Sequence, residues 1–272
     1  MQSFSASPAT LLLSFWRYRG LIGNHVKRDV IGRYRGSFLG ILWSVLNPVL
    51  MLAVYTFVFS AVFQSRWSGS GEAKTEFALL LFAGLIVFNF FAECFNRAPG
   101  LVLAHGNYVK KVVFPLEILP LVSVASALFH ALISIAVWIM VYVLAVGIPH
   151  FTFVLFPLAL IPLILLLLGL SWWLAALGVY LRDVGQVAGV ITTMLMFLSP
   201  IFFPIEALPE DYRPLLAWNP LAPAIALMRD LLFWGVPPRP TDYLTYLTLC
   251  AGAAWLGFAW FQKTRKGFAD VL

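Results

Sequence analysis

ILPLVSVASALFHALISIAVWIMVYVLAV, residues Ile118–Val146, runs for 29 positions without an Asp, Glu, Lys or Arg. A bilayer core needs about 20 apolar residues in a helix, so this run is long enough to cross one with some tilt. Five further runs flank it: Phe38–Phe63, Phe77–Phe95, Phe153–Tyr180, Val187–Phe203 and Tyr243–Phe261. In hydrocarbon every backbone N–H and C=O must be paired internally, which predicts helices for all six. None shows the polar alternation of a membrane barrel strand. The chain is 61% hydrophobic and 11% charged, far from the soluble balance of about 45–50% and 25%. The expected fold is therefore an all-α polytopic membrane protein with six transmembrane helices. The fifth run is the shortest and ends in Ser199-Pro200 and Pro204, so its far end is the least sharply set.

Charge sets the orientation. With the N-terminus placed in the cytoplasm, thirteen of the 18 Lys and Arg residues fall in inside segments and five outside. An even number of spans puts both termini inside, in agreement with the positive-inside rule. The net charge of +6 is thus mostly a topology signal. No basic cluster carries the aromatic platform that nucleic-acid binding needs. The first long run is too long for the apolar region of a cleavable signal.

Three polar segments stand out. Residues 1–37 form a cytoplasmic segment whose part Thr10–Tyr34 interleaves Leu11, Phe15, Trp16, Ile22 and Ile31 with Arg17, Arg19, Lys27, Arg28 and Arg33. That pattern predicts an amphipathic helix lying in the interface, with Gly20 and Gly23 as possible break points. It serves either as a surface anchor or as a cationic attractor for an anionic lipid-linked substrate. The remainder, 38–272, is the transmembrane domain. Within it, residues 98–115 are helix-competent, bounded by Pro99 and Pro115, with a basic tip at Lys110 and Lys111. They read either as a stiff coupling element or as an ordinary positive-inside loop. Residues 204–240 are outside, rich in proline, and contain the apolar stretch Ala222–Trp234, too short to span. A re-entrant helical hairpin between spans five and six, or a folded external cap, satisfies that pattern.

Two spans carry polar faces. Gly40, Ser44, Asn47, Met51 and Tyr55 share one side of span one, and Thr192, Met196, Ser199 and Phe203 one side of span five. Tight packing through small residues and the lining of a wide conduit both produce this pattern. Glu93 and Arg97 are spaced for an i, i+4 ion pair, and His130 reads as a packing residue. Cys94 and Cys250 read as small buried apolar residues rather than a disulfide or metal ligands. The dipeptide Gly-Lys never occurs, so no phosphate-cradling loop of the Walker type is encoded. No HExxH, paired-Cys, Asp-x-Asp or Gly-x-Ser-x-Gly arrangement occurs either. No catalytic or metal residues, and no cofactor held by this chain, are expected.

RYRGSFLGILWSVLNP at residues 33–48, KVVFPLEILP at 111–120, LRDV at 181–184, LSPIFFP at 198–204, WNP at 218–220 and RKGFAD at 265–270 follow one another in a telling order. Together they resemble the permease subunit of a type-2 ABC exporter, closest to the branch that exports lipid-linked O-antigen or related glycans, over almost the whole chain. The resemblance implies a homodimer joined to two copies of a separate ABC ATPase that binds ATP and Mg, in the bacterial inner membrane. It implies that spans one and five line a channel for an undecaprenyl-diphosphate-linked polysaccharide. Candidates for that lining are Trp43, Ser44, Asn47, Met51, Tyr55, Thr192, Met196, Ser199, Phe202 and Phe203, with the aromatic side chains stacking on sugar rings. His105, Asn107, Tyr108, Lys110, Lys111, Arg182 and Asp183 would couple to the ATPase or gate the entrance. Arg28, Arg33 and Arg35 would meet headgroups or the diphosphate. Trp218, Phe233 and Trp234 would form the periplasmic gate. Capsule, teichoic acid or another lipid or small molecule remains an alternative cargo. Outside the transporter class, a membrane-embedded glycosyl or phosphate transferase, or an assembly scaffold, also stays open.

Overall fold

The computed structural model describes residues 7–58, 74–110, 114–203, 205 and 209–272, and every regular element among them is helical. In chain order these include α1 (Pro8–Arg17), α2 (Arg19–Tyr34), α3 (Trp43–Phe57), α4 (Lys74–Arg97), α5 (Gly106–Lys110), α6 (Ile118–Ala145), α7 (Phe156–Tyr180) and α8 (Val184–Leu198). Then follow α9 (Arg213–Ala217), α10 (Ala222–Arg229), α11 (Pro240–Thr264) and α12 (Phe268–Val271). Among the described residues, five helices are long and apolar enough to cross a membrane: Gly40–Phe57, Glu76–Gly100, Ile118–Ala145, Phe151–Tyr180 and Pro240–Val271.

The fifth expected run takes a shorter form. It yields the 15-residue helix α8, about 22 Å at 1.5 Å per residue. The helix stops at Ser199, which is extended (φ −86°, ψ 148°) because the ring of Pro200 disfavours helical geometry in the residue before it. The far end of span one at 59–63, Lys111 and Pro204 lie outside the described residues.

The expected N-terminal helix is two helices, and the break lies elsewhere than at the glycines. Tyr18 separates α1 from α2 with φ −101° and ψ 12°, while Gly20 and Gly23 are carried inside α2. Leu13, Phe15 and Trp16 of α1 are exposed, whereas Ile22 and Val30 anchor α2 on the rest of the chain.

The central element is α4, with 83% of its apolar window buried. Its aromatic and aliphatic side chains from Phe77 to Phe95 form the middle of one continuous core. Burial of this kind does not itself drive helix association in lipid; close packing and hydrogen bonds do. Trp138 Nε1 donates to the Leu79 carbonyl (2.8 Å) and Trp172 Nε1 to the Glu117 carbonyl (3.0 Å). Helices α7 and α11 meet at Gly169 and Gly257, where a Cβ on Gly257 would overlap the Gly169 carbonyl. At the far end of α11, Arg265 pairs with Glu117 at 2.7 Å, so the tail motif closes onto the start of α6.

Helix α3 contrasts with α4. Only 17% of its span is buried, along the stripe Ser44, Pro48 and Leu52. Among the described residues, Leu46, Val49, Tyr55 and Thr56 are half-buried, and much of the rest of the helix surface, including Asn47, Leu50, Met51 and Val54, is exposed.

Candidate functional site

The polar face of span one divides. Trp43, Asn47 and Met51 are exposed and Tyr55 is half-buried. Ser44 is turned inward, its Oγ donating to the Ile41 carbonyl at 2.7 Å. Gly40 takes φ +52° at the start of the span, a conformation that suits a residue without Cβ.

On α8 the polar positions point into the protomer. The single proton of Thr192 Oγ1 has two acceptors within reach, the Ala188 carbonyl (2.9 Å) and Asn96 Oδ1 (3.1 Å). Ser199 is fully buried and its Oγ meets Asn219 Nδ2 at 2.9 Å. Met196, Phe202 and Phe203 are half-buried. Ser44, Thr192 and Ser199 are thus buried and hydrogen-bonded within the protomer. An unpaired hydroxyl at membrane depth is costly, and here each has a partner within the chain. The open face of α8 is mostly apolar, with Val187, Val190, Met194, Phe197 and Leu198 exposed beside the polar Gln186 and Thr193.

At the end of the bundle where α4 stops and α6 starts, ion pairs tie α2 to the spans. Arg33 Nη2 donates to Glu93 Oε1 (2.7 Å), and Arg33 Nη1 lies 3.0 Å from His130 Nδ1. Arg97 Nη2 donates to both oxygens of Asp29 at 2.9 Å. The Glu93–Arg97 pair expected from spacing forms at 3.6 Å but is the weakest link of this larger cluster. His130 is more than a packing residue, since its Nδ1 also lies 3.3 Å from Glu93 Oε2.

Beside it, His105 stacks on Tyr108 (5.5 Å) and Tyr108 on Phe114 (4.4 Å). Arg28 Nη2 donates to Tyr108 Oη (3.2 Å) and lies 3.1 Å from His25 Nδ1. These contacts pin the segment after α4 to α2. Desolvation and then the Arg28 charge lower the pKa of His25. Asn107 is exposed, and Lys110 closes α5. Arg35, Arg182 and Asp183 are exposed and take no part in this cluster's hydrogen bonds or ion pairs.

At the opposite end, Ala222–Trp234 forms α10 and a π-helical turn, Asp230–Trp234, closed by Gly235 at φ +70°. Trp218 and Trp234 are exposed, but Phe233 is buried with its ring edge-on to Tyr142 at 5.8 Å. Phe233 is thus a core residue of this end. The functional group that sequence reasoning passed over is Arg229, 6% exposed. It donates to the carbonyls of Leu80 (3.0 Å), Pro200 (2.6 Å) and Ile201 (2.6 Å). Gly84 leaves the room for it. A lone Arg inside an apolar stretch was the available signal. Asp29, Asn219 and the Glu117–Arg265 pair were also missed; their partners lie 20 to 148 residues away.

The described residues thus form a helical bundle with a charged cluster at one end and a short buried helix at the other. The chain belongs to the ABC-2 type transporter family, whose model matches residues 21–233. It is 25% identical to the O-antigen export system permease protein RfbA of Myxococcus xanthus, over 96% of this chain and 99% of that protein. It is 28% identical to the protein of the same name from Klebsiella pneumoniae, over 90% of this chain and 92% of that one. Likewise it is 26% identical to the polysialic acid transport protein KpsM of Escherichia coli, over 88% of this chain and 91% of that one.

Proposed function

We propose that this chain is the channel-forming subunit of an ATP-driven exporter that carries an undecaprenyl-diphosphate-linked polysaccharide of O-antigen type across the bacterial inner membrane. Two copies assemble with two copies of a separate ATPase, which holds the ATP and Mg. Both termini are cytoplasmic, α8 with its continuation completes a sixth span, α1 and α2 lie at the membrane surface, and α10 forms the inner limb of a re-entrant outer gate. The single observation that carries this reading is the open side of α3, where Trp43, Asn47 and Met51 are exposed among the described residues. A spanning helix with 17% of its window buried needs another surface, and exposed Asn and Trp suit a wet, sugar-contacting wall better than lipid.

In this reading α3 from both copies lines the conduit, joined by the open face of α8. Sugar rings slide along such a wall through weak contacts with Trp43 and Tyr55. The segment 98–115, held to α2 through Arg28 and Tyr108, transmits the ATPase stroke to α4 and α6. His105, Asn107, Lys110 and Lys111 are the residues assigned to coupling with the ATPase, and Trp218 and Trp234 those assigned to the outer mouth. A capsule-type glycan is the second reading, favoured by the match to the polysialic acid transport protein.

The test is co-purification of tagged protein from native membranes in mild detergent. A stoichiometric partner carrying a Walker-type ATPase supports the exporter. A homodimer without one, across several detergents, contradicts it.

A further inference from the structure

Between α2, the turns after α4 and the first turns of α6 lies a cavity of about 590 Å³, lined by His25, Arg28, Asp29, Arg33, Arg97 and Ser123 among others. Its size falls in the range of small-ligand sites, about 300–1,000 Å³. Its charge is unbalanced. Three guanidiniums line it, while the carboxylates they meet are Asp29 and, behind the wall, Glu93. Arg33 and Arg97 are engaged by those two. Arg28 has only the neutral Tyr108 and His25, and no carboxylate partner among the described residues. Ser123 supplies an independent observation. It is 2% exposed, lines the cavity, and its Oγ has no hydrogen-bond partner among the described residues. Buried hydroxyls without a partner are uncommon and need a reason. The cavity thus offers a planar cation with spare donors and a hydroxyl donor, a pairing suited to the tetrahedral oxygens of a phosphate. The apolar wall of Leu101, Leu119 and Val122 suits the start of an acyl or prenyl chain.

We infer that this cavity binds the phosphate of a lipid headgroup and so holds α2 against α4 and α6. The phosphate has two possible sources, a resident anionic phospholipid or the diphosphate of a polyprenyl carrier. Only the second source rests on the export reading; the pocket itself does not.

The test is lipid binding to full-length protein in detergent by native mass spectrometry, with phosphatidylglycerol, farnesyl diphosphate and, as a phosphate-free control, diacylglycerol. Arg28→Gln and Ser123→Ala should each weaken binding of the phosphorylated lipids tenfold or more. Arg28→Lys should recover part of it, and Lys263→Gln, an exposed cation of α11 that does not line the cavity, should leave it unchanged. Each variant is checked for unchanged elution and melting, and Ser123→Ala keeps the volume if the arginine variant proves unstable. Phosphatidylglycerol bound in this manner without competition from farnesyl diphosphate identifies a structural lipid. Competition by the diphosphate identifies a carrier site. Equal binding by wild type, Arg28→Gln and Ser123→Ala, or equal binding of diacylglycerol, overturns the proposal.

Discussion

Arg229 shows what one residue does in this fold. Its guanidinium is expensive to desolvate, and what offsets that cost is a set of three carbonyls, two of them freed where α8 ends at Ser199-Pro200. Replacing it by Leu leaves those acceptors unsatisfied, at about 1–3 kcal/mol for each buried group. We therefore expect Arg229→Leu to lose most folded protein in membranes and Arg229→Lys, with fewer donors, to melt at an intermediate temperature. A Leu variant as stable as wild type would show that the carbonyls find other partners. His25 illustrates a milder dependence. Its folded pKa lies below the unfolded value through burial and the nearby Arg28, so the unfolded chain binds more protons between the two values. Its contribution to stability is complete above the unfolded pKa and lost as pH falls through the folded one. The melting temperature of wild type should fall more steeply than that of His25→Asn as pH drops from the unfolded to the folded value. Neither residue's role was legible in the sequence, because Arg229 reads as one more outside cation and His25 as an isolated histidine. Their partners come from other elements.

At the scale of elements, apolar length and flanking charge made α4, α6, α7 and α11 legible, since a bilayer imposes a simple length rule. Helix α8 was overestimated because apolar residues continue past Ser199, while the backbone is broken by the pre-proline geometry. Period counting found the polar stripes of α3 and α8 but left packing and conduit unresolved, because both place small and polar residues on one face. The two stripes differ in exposure. Asn47 and Met51 are open; Thr192 and Ser199 are buried. Cys94 and Cys250 are buried, so introduced cysteines can be labelled against a low background. Asn47→Cys and Met51→Cys should react with a water-soluble thiol reagent in the assembled transporter, and Thr192→Cys should not. Reaction only at 192 would reverse the assignment of faces. The contact of α7 with α11 is equally specific. Gly257→Ala forces its Cβ against the Gly169 carbonyl, an overpacking of about 1–3 kcal/mol. It should lower the melting temperature, while Gly252→Ala, which meets nothing within 4 Å, should not.

For the whole molecule, the ion-pair cluster and Arg229 occupy opposite ends of α4. From Leu80 to Glu93 and Arg97 the separation is roughly 20–25 Å at 1.5 Å per residue. The most buried helix therefore connects the end that receives α2 to the end that receives α10. A rigid central helix with polar ties at both ends is a means of passing a displacement from one side to the other. The ordered motifs in the sequence pointed to this class of molecule because they sit at the joints: 33–48 at the start of α3, 111–120 with 265–270 where Glu117 meets Arg265, and 198–204 with 218–220 where Ser199 meets Asn219. What sequence alone left open was which joints carry charge and which face of α3 is free. The most direct measurement is ATP-dependent movement of a lipid-linked polysaccharide across proteoliposomes containing this chain and its co-purified ATPase. The account predicts transfer that requires ATP and falls several-fold in Trp43→Ala at equal protein. A complex that hydrolyses ATP but leaves the polysaccharide where it was, or transfer by this chain without the ATPase, would contradict it.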